Sequence, residues 1–141
     1  MKLLTLLIAG FLMLTDQGWQ NNFDKAKSEA QASHKQILVN FSGSDWCGPC
    51  IKLTREVFET ETFKKYANEK LVLVRADFPR MKKNKLSKEQ TTLNEALADK
   101  YNKEGTFPLT LLLDENGKVL KKWSGNPGLK PEQFVTELQA K

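Results

Sequence analysis

Residues 37–50, ILVNFSGSDWCGPC, decide the fold of this chain. An apolar, β-branched run is followed by a glycine and then by both cysteines of the protein, three positions apart. Ile37 to Ser42 is expected to form a buried strand ending at Gly43. From Cys50 to Ala67 the pattern turns helical, with Cys50, Leu53, Val57 and Phe58 on one side. A second capping threonine, Thr60 or Thr62, predicts that this helix bends or restarts there. The two thiols therefore mark a strand-to-helix junction.

Outward from that junction the elements alternate. Asn22 to Ser33 carries Phe23, Ala26 and Ala30 at helical spacing. Leu71 to Ala76 (LVLVRA) is a second continuous apolar strand, and Leu93 to Tyr101 is helical. Leu109 to Leu113 (LTLLL) and Val119 to Trp123 flank Glu115-Asn116-Gly117, a strong hairpin signal. Pro131 suits the first position of a last helix carrying Phe134, Val135 and Leu138. Continuous apolar strands alternating with helices predict parallel pairing covered on both faces, with the hairpin adding an antiparallel edge. The expected class is α/β, a small three-layer α/β/α sandwich around a central mixed sheet.

With 141 residues the chain makes one domain with a sizeable core. Its 40% hydrophobic and 28% charged residues suit a soluble globular protein. The net charge of +5 comes with no arginine-rich, aromatic-interleaved stripe, so no nucleic-acid partner is expected. Lys2 followed by the uncharged run Leu3 to Leu14 is too short for a bilayer span, which takes about 20 residues. It has the length of a secretory apolar region, the alternative being a buried N-terminal strand or helix. A signal sequence over 1–18 and a folded domain over 19–141 are expected, with the cleavage point open. Export would place the cysteines where disulfides persist.

Three chemistries compete for Cys47 and Cys50. A structural zinc needs four ligands, and beyond this pair the soft candidate is only His34. A purely structural disulfide closing so small a loop gains only about 2 kcal/mol. A catalytic dithiol makes sense of the spacing. Cys47 opens the helix, where unpaired N–H groups and the helix dipole favour a thiolate. Cys50, one turn further in, is expected to be buried and to resolve the mixed disulfide. Pro49 is tolerated in a first turn, and Gly48 lets a substrate backbone come close. Trp46 either shields the pair or caps the core edge. The dithiol carries the electrons, so no cofactor and no metal is expected.

With these residues in place, the chain resembles the thioredoxin superfamily over roughly Ile37 to Lys141. Trp46-Cys47-Gly48-Pro49-Cys50 has the form of the thioredoxin active site, and Thr106-Phe107-Pro108 looks like the family's cis-proline loop. The resemblance implies that Trp46, Gly48, Pro49, Phe107 and Pro108 bind substrate beside the catalytic Cys47 and Cys50. For Pro108 alone, a trans proline starting a strand is the other reading. Gly125 resembles the glycine that lines the family's substrate groove. Residues 43–47 (GSDWC) and 74–80 (VRADFPR) are similar to those of periplasmic thiol-disulfide interchange domains.

The resemblance implies a periplasmic or secreted protein-disulfide reductase, with an isomerase or a non-catalytic binding module as alternatives. The Gly-Pro dipeptide is that of reducing members, near −270 mV against about −120 mV for strong oxidants. Protein disulfides would be the substrates and an upstream electron donor the source of electrons, with no stable membrane span and a monomeric state. Two departures stand out. In the first, Asn40 takes the place of a buried family aspartate and Arg75 that of a lysine on the next strand. Asparagine cannot act as a base, and Glu56 could replace it only by facing inward. The second departure is the segment from Arg80 to Lys88, with five cations before the first acid, Glu89. It is either a solvated loop or a docking patch for an acidic partner.

Overall fold

The structure, a computed structural model, describes residues 18–141. The leader expected over 1–18 falls, but for Gly18, outside the described residues. Among the described residues nine regular helices and strands follow one another. They are α1 (Phe23–Ser33), β1 (Gln36–Ser42), α2 (Gly48–Leu53), α3 (Glu61–Lys70), β2 (Leu71–Asp77), α4 (Lys88–Tyr101), β3 (Leu109–Leu113), β4 (Val119–Ser124) and α5 (Pro131–Gln139). A π-helical turn, Thr54–Phe58, continues α2, and a short 3-10 turn, Lys82–Asn84, interrupts the basic segment.

The sheet runs β2-β1-β3-β4. Among these four strands only β1 and β2 pair parallel; β3 pairs antiparallel with β1 as well as with β4. The antiparallel part thus reaches the sheet centre, further than the edge hairpin the sequence predicts. The reason is that LTLLL is buried on both faces, and such a run looks the same in either direction. Beyond β2, Gln20 forms a parallel bridge to Val74, donating to Leu73 O at 2.8 Å and accepting from Arg75 N at 2.9 Å.

Alternation along the strands separates two cores. Ile37, Val39 and Phe41 point with Val72, Val74 and Leu111 toward α1 and α4. Leu38, Leu73 and Leu112 point the other way, toward Leu53, Val57, Phe63 and Phe134 of the α2, α3 and α5 layer. Three layers result, as expected. By the same period of two, Asn40, Arg75 and Thr110 face the α2 side, among apolar neighbours.

Caps account for the helix limits. Thr60 Oγ1 accepts from Phe63 N at 3.3 Å, so a new helix starts where the sequence predicts a restart. Ser87 Oγ accepts from Gln90 N at 3.1 Å and starts α4 five residues before the apolar pattern at Leu93 does.

Candidate active site

Gly43 ends β1, and the loop 43–46 turns the chain so that Cys47 becomes the N-cap of α2. Cys47 and Cys50 are joined as a disulfide with their Cα atoms 5.2 Å apart. Cys47 Sγ accepts from Cys50 N at 3.3 Å, so the first sulfur sits on the unpaired N–H end of the helix. Pro49 lies in the first turn, where its missing N–H has no partner to lose. Gly48 and Pro49 are exposed above the pair. Cys47 is 5% exposed and Cys50 2%. Both are buried, a smaller contrast than the sequence predicts.

Trp46 is held on three sides. Its Nε1 donates to Phe78 O at 2.7 Å, its ring meets the Phe107 ring edge-on at 5.6 Å, and the Arg80 guanidinium carbon stands 3.6 Å from its centroid. Gly43 lies directly beneath the indole, where a Cβ would have no room. The Phe107 contact brings the segment 106–108 beside the motif, and the Phe107-Pro108 peptide is cis. Pro108 O accepts from Gly125 N at 2.8 Å, and Gly125 has φ +79°, a conformation that favours glycine. Among the described residues no hydrogen bond engages the main chain of Phe107.

Behind the disulfide runs a buried polar row. Asn40, 1% exposed, donates through Nδ2 to Thr110 Oγ1 at 3.1 Å and accepts at Oδ1 from Arg75 Nε at 3.3 Å. Arg75 also reaches Thr54 Oγ1 at 3.4 Å, and its guanidinium carbon lies 4.2 Å from the Trp19 ring centroid. Burial pushes the Arg75 guanidinium below its usual value, with the charges of Asp77 and Glu59 opposing the shift. Glu56 does not face inward: it is exposed, 3.9 Å from Arg55. A cavity of about 340 Å³ opens beside Cys50, bounded by Ser42, Thr54, Glu59 and Arg75. His34 is elsewhere, exposed at the end of α1 and 3.3 Å from Glu115.

Some site residues carry no sequence signal of their own. Asp45, inside the motif, accepts from Arg80 N and Met81 N at 2.9 Å each and from Asn84 Nδ2 at 3.0 Å. Those bonds, the Arg80 amide first, hold its carboxyl below the ordinary range. Asp77 likewise accepts from Ser44 N at 2.9 Å. Both acids bind the loop after β2 to the loop after β1. An aspartate two residues before a cysteine is an ordinary loop residue until its partners are known.

Comparison with known proteins agrees with this geometry. A thioredoxin-like family model matches residues 18–114. The chain is 34% identical over 110 residues to the disulfide bond reductase DsbH of Chlamydia pneumoniae, covering 78% of this chain and 64% of that protein. It is 33% identical over 102 residues to the thioredoxin-related protein DsbJ of the same organism, covering 72% of this chain and 28% of the relative. The chain therefore spans less than two thirds of the length of either relative. A solved DsbH oxidoreductase structure superposes with a TM-score of 0.78 at 30% identity, covering 89% of this chain and 83% of that one.

Proposed function

This chain belongs to the thioredoxin-like family, and from that premise we propose that it is a thiol-disulfide oxidoreductase that reduces disulfides in other proteins. The observation that carries the reading is the Cys47–Cys50 disulfide at the N-cap of α2, with the cis-proline segment packed on its Trp46. The similarity to a disulfide bond reductase favours the reducing direction over isomerisation.

In the reduced protein the Cys50 N–H and the start of α2 favour negative charge on the Cys47 sulfur. The Cys47 thiolate attacks one sulfur of the substrate disulfide, forming a mixed disulfide and releasing one substrate thiolate. Cys50 gives up its proton and attacks Cys47 Sγ, which releases the second substrate thiolate and closes the Cys47–Cys50 bond. Two electrons pass from the pair to the substrate, so the chain needs no bound cofactor. A separate dithiol donor must reduce the pair again.

Gly48 and Pro49 are exposed above the pair and Trp46 is half-buried beside it, and the open main chain of Phe107 beside Pro108 offers hydrogen bonds to an extended substrate segment. With asparagine at position 40, the open cavity beside Cys50, with Ser42, Thr54 and Glu59 on its walls, gives its proton a route to solvent. Among the described residues no helix is long and apolar enough to cross a membrane. The apolar run at 3–14 supports export to the cell envelope.

Insulin reduction followed by turbidity tests the activity. The wild type should accelerate precipitation, and a rate equal to that of the dithiol reagent alone would reject the reading. Cys50→Ser should trap mixed disulfides and Cys47→Ser none; equal trapping by both would overturn the assignment of roles.

A further inference from the structure

The segment from Arg80 to Lys88 is not used by the exchange chemistry, yet it is fixed against the motif. It is held by the Asp45 carboxylate through the backbone N–H groups of Arg80 and Met81 and through the Asn84 side chain. The Arg80 guanidinium carbon stands 3.6 Å over the ring of Trp46, the residue before Cys47. Arg80, Lys82, Lys83, Lys85 and Lys88 are all exposed. Among the described residues the ion pairs are His34–Glu115 and Arg55–Glu56, so none of these five has a carboxylate partner within 4 Å. With the five set aside, the remaining 17 Lys and Arg equal the 17 Asp and Glu of the chain. The whole net charge of the protein therefore corresponds to this one segment, the loop from Arg80 and the first residue of α4.

Under the loop is a cavity of about 380 Å³ between it and α4. Phe78, Met81 and Leu86 supply its apolar lining and Lys82 and Lys85 its basic rim. Met81 is 48% exposed, an apolar side chain left in water at the mouth. Two carboxylates also line it. Asp77 is already engaged by Ser44 and by Phe78 N, and Glu95 on α4 is exposed. A solvated loop would need neither a clamped backbone nor an apolar hollow beside its charges.

We propose that residues 78–88 are a docking surface for an acidic segment of the partner protein whose disulfide is exchanged. Carboxylates of that segment face Lys82, Lys83 and Lys85, and one apolar side chain enters the hollow beside Met81. Phe78 connects this hollow to the site, because its carbonyl accepts from Trp46 and its ring packs on Phe107 at 5.3 Å. The segment is thereby held next to Cys47. The charge is concentrated in one loop with an apolar hollow and without a row of aromatic faces, which suits an acidic polypeptide better than a nucleic acid. The identity of the partner as a disulfide substrate rests on the proposed function; the docking itself does not.

The test uses the oxidised full chain and a cysteine-free probe, so that it does not depend on exchange. A dye-labelled peptide of alternating Asp and Glu around one leucine is titrated against the wild type, and the same peptide with Gln and Asn serves as the neutral probe. The acidic peptide should bind about tenfold more tightly, the low end of the range for electrostatic steering, and should lose that preference as salt shortens the Debye length. Reversing Lys82, Lys83 and Lys85 to Glu should abolish the preference; reversing Lys65, Lys70 and Lys130, on the α3 and α5 side, should not. Equal binding of the two peptides would overturn the proposal, as would equal loss in both triple variants. Tighter binding to vesicles of phosphatidylcholine and phosphatidylglycerol than to the acidic peptide, lost in the loop variant, would assign the surface to a membrane instead. If insulin reduction fails while the peptide preference stands, the function is wrong and the docking surface is not.

Discussion

Replacing Asn40 by aspartate would test how the buried row behind the disulfide is balanced. A carboxylate there keeps the bond from Arg75 Nε, 3.3 Å away, and turns a contact with a neutral amide into an ion pair. At that separation and an effective dielectric of 20, the attraction is about 5 kcal/mol. Burying the carboxylate costs several kcal/mol, and the Thr110 hydroxyl can turn to donate to it. The two large effects nearly cancel, so Asn40→Asp should change stability by no more than about 2 kcal/mol. The pairing with Arg75 also holds the new carboxylate ionised at neutral pH. It would then be a poor proton store, and the roughly 10²–10⁴-fold gain available to a matched general base should not appear in the second exchange step.

Removing the cation as well gives the contrast. In Asn40→Asp with Arg75→Met, a buried carboxylate has no partner, and its folded pKa rises above the unfolded value of about 3.9. A group raised in this way stabilises fully below its unfolded pKa and loses that contribution as pH rises through its folded pKa. The double variant should therefore unfold normally near pH 4 and be weaker by about 3–5 kcal/mol at pH 8, relative to the sum of the single variants. Urea unfolding of the four proteins at both pH values measures the coupling. A coupling near zero at pH 8, or a single Asn40→Asp variant as unstable as the double, would refute the balance described here.

Three further outcomes are expected. Gly43→Ala should push the Trp46 indole off its site, break its bond to Phe78 O, change the near-UV circular dichroism and cost about 1–3 kcal/mol. Asp45→Ala should speed amide exchange at Arg80 and Met81 at neutral pH, with the difference from the wild type vanishing in acid. In the wild type the same amides should loosen only as pH falls below the ordinary carboxylate range, because a depressed folded pKa stabilises above the unfolded value and is lost on acidification. Phe134→Ala empties a fully buried position packed on Phe58, Phe63 and Trp123 and should cost about 3–5 kcal/mol in urea unfolding.

Much of the fold was legible because burial writes itself as continuous apolar runs: β1, β2 and β3 are within a residue of the expected bounds. The start of α4 was not legible, since Lys88 to Thr92 has no apolar period and only the Ser87 cap marks it. Strand direction was not legible either, for a strand buried on both faces has no sequence sign of orientation. At the site the cysteine spacing identified the chemistry, but the hydrogen bonds of Asp45 join positions about 35 residues apart. No local pattern encodes such a partner. Glu56 failed as a candidate because it lies off the buried face that Leu53, Val57 and Phe58 form and is exposed.

Asn40 and Arg75 are better understood as one exchange than as two. A lysine beside a neutral asparagine could shed its proton when buried; an arginine keeps its charge and must be accommodated. Among the described residues its guanidinium reaches only neutral side-chain oxygens, those of Asn40 and Thr54. The remaining stabilisation comes from aromatic faces, Trp19 at 4.2 Å and Phe58 at 5.9 Å, with Asp77 and Glu59 acting at longer range. Trp19 is placed there by its neighbour Gln20, which bridges to β2 on either side of Val74. The residues just before α1 therefore belong to the site, because they supply the face over the buried cation. Substitutions at 19, 40 and 75 should combine non-additively, since each alters the environment of the same charge.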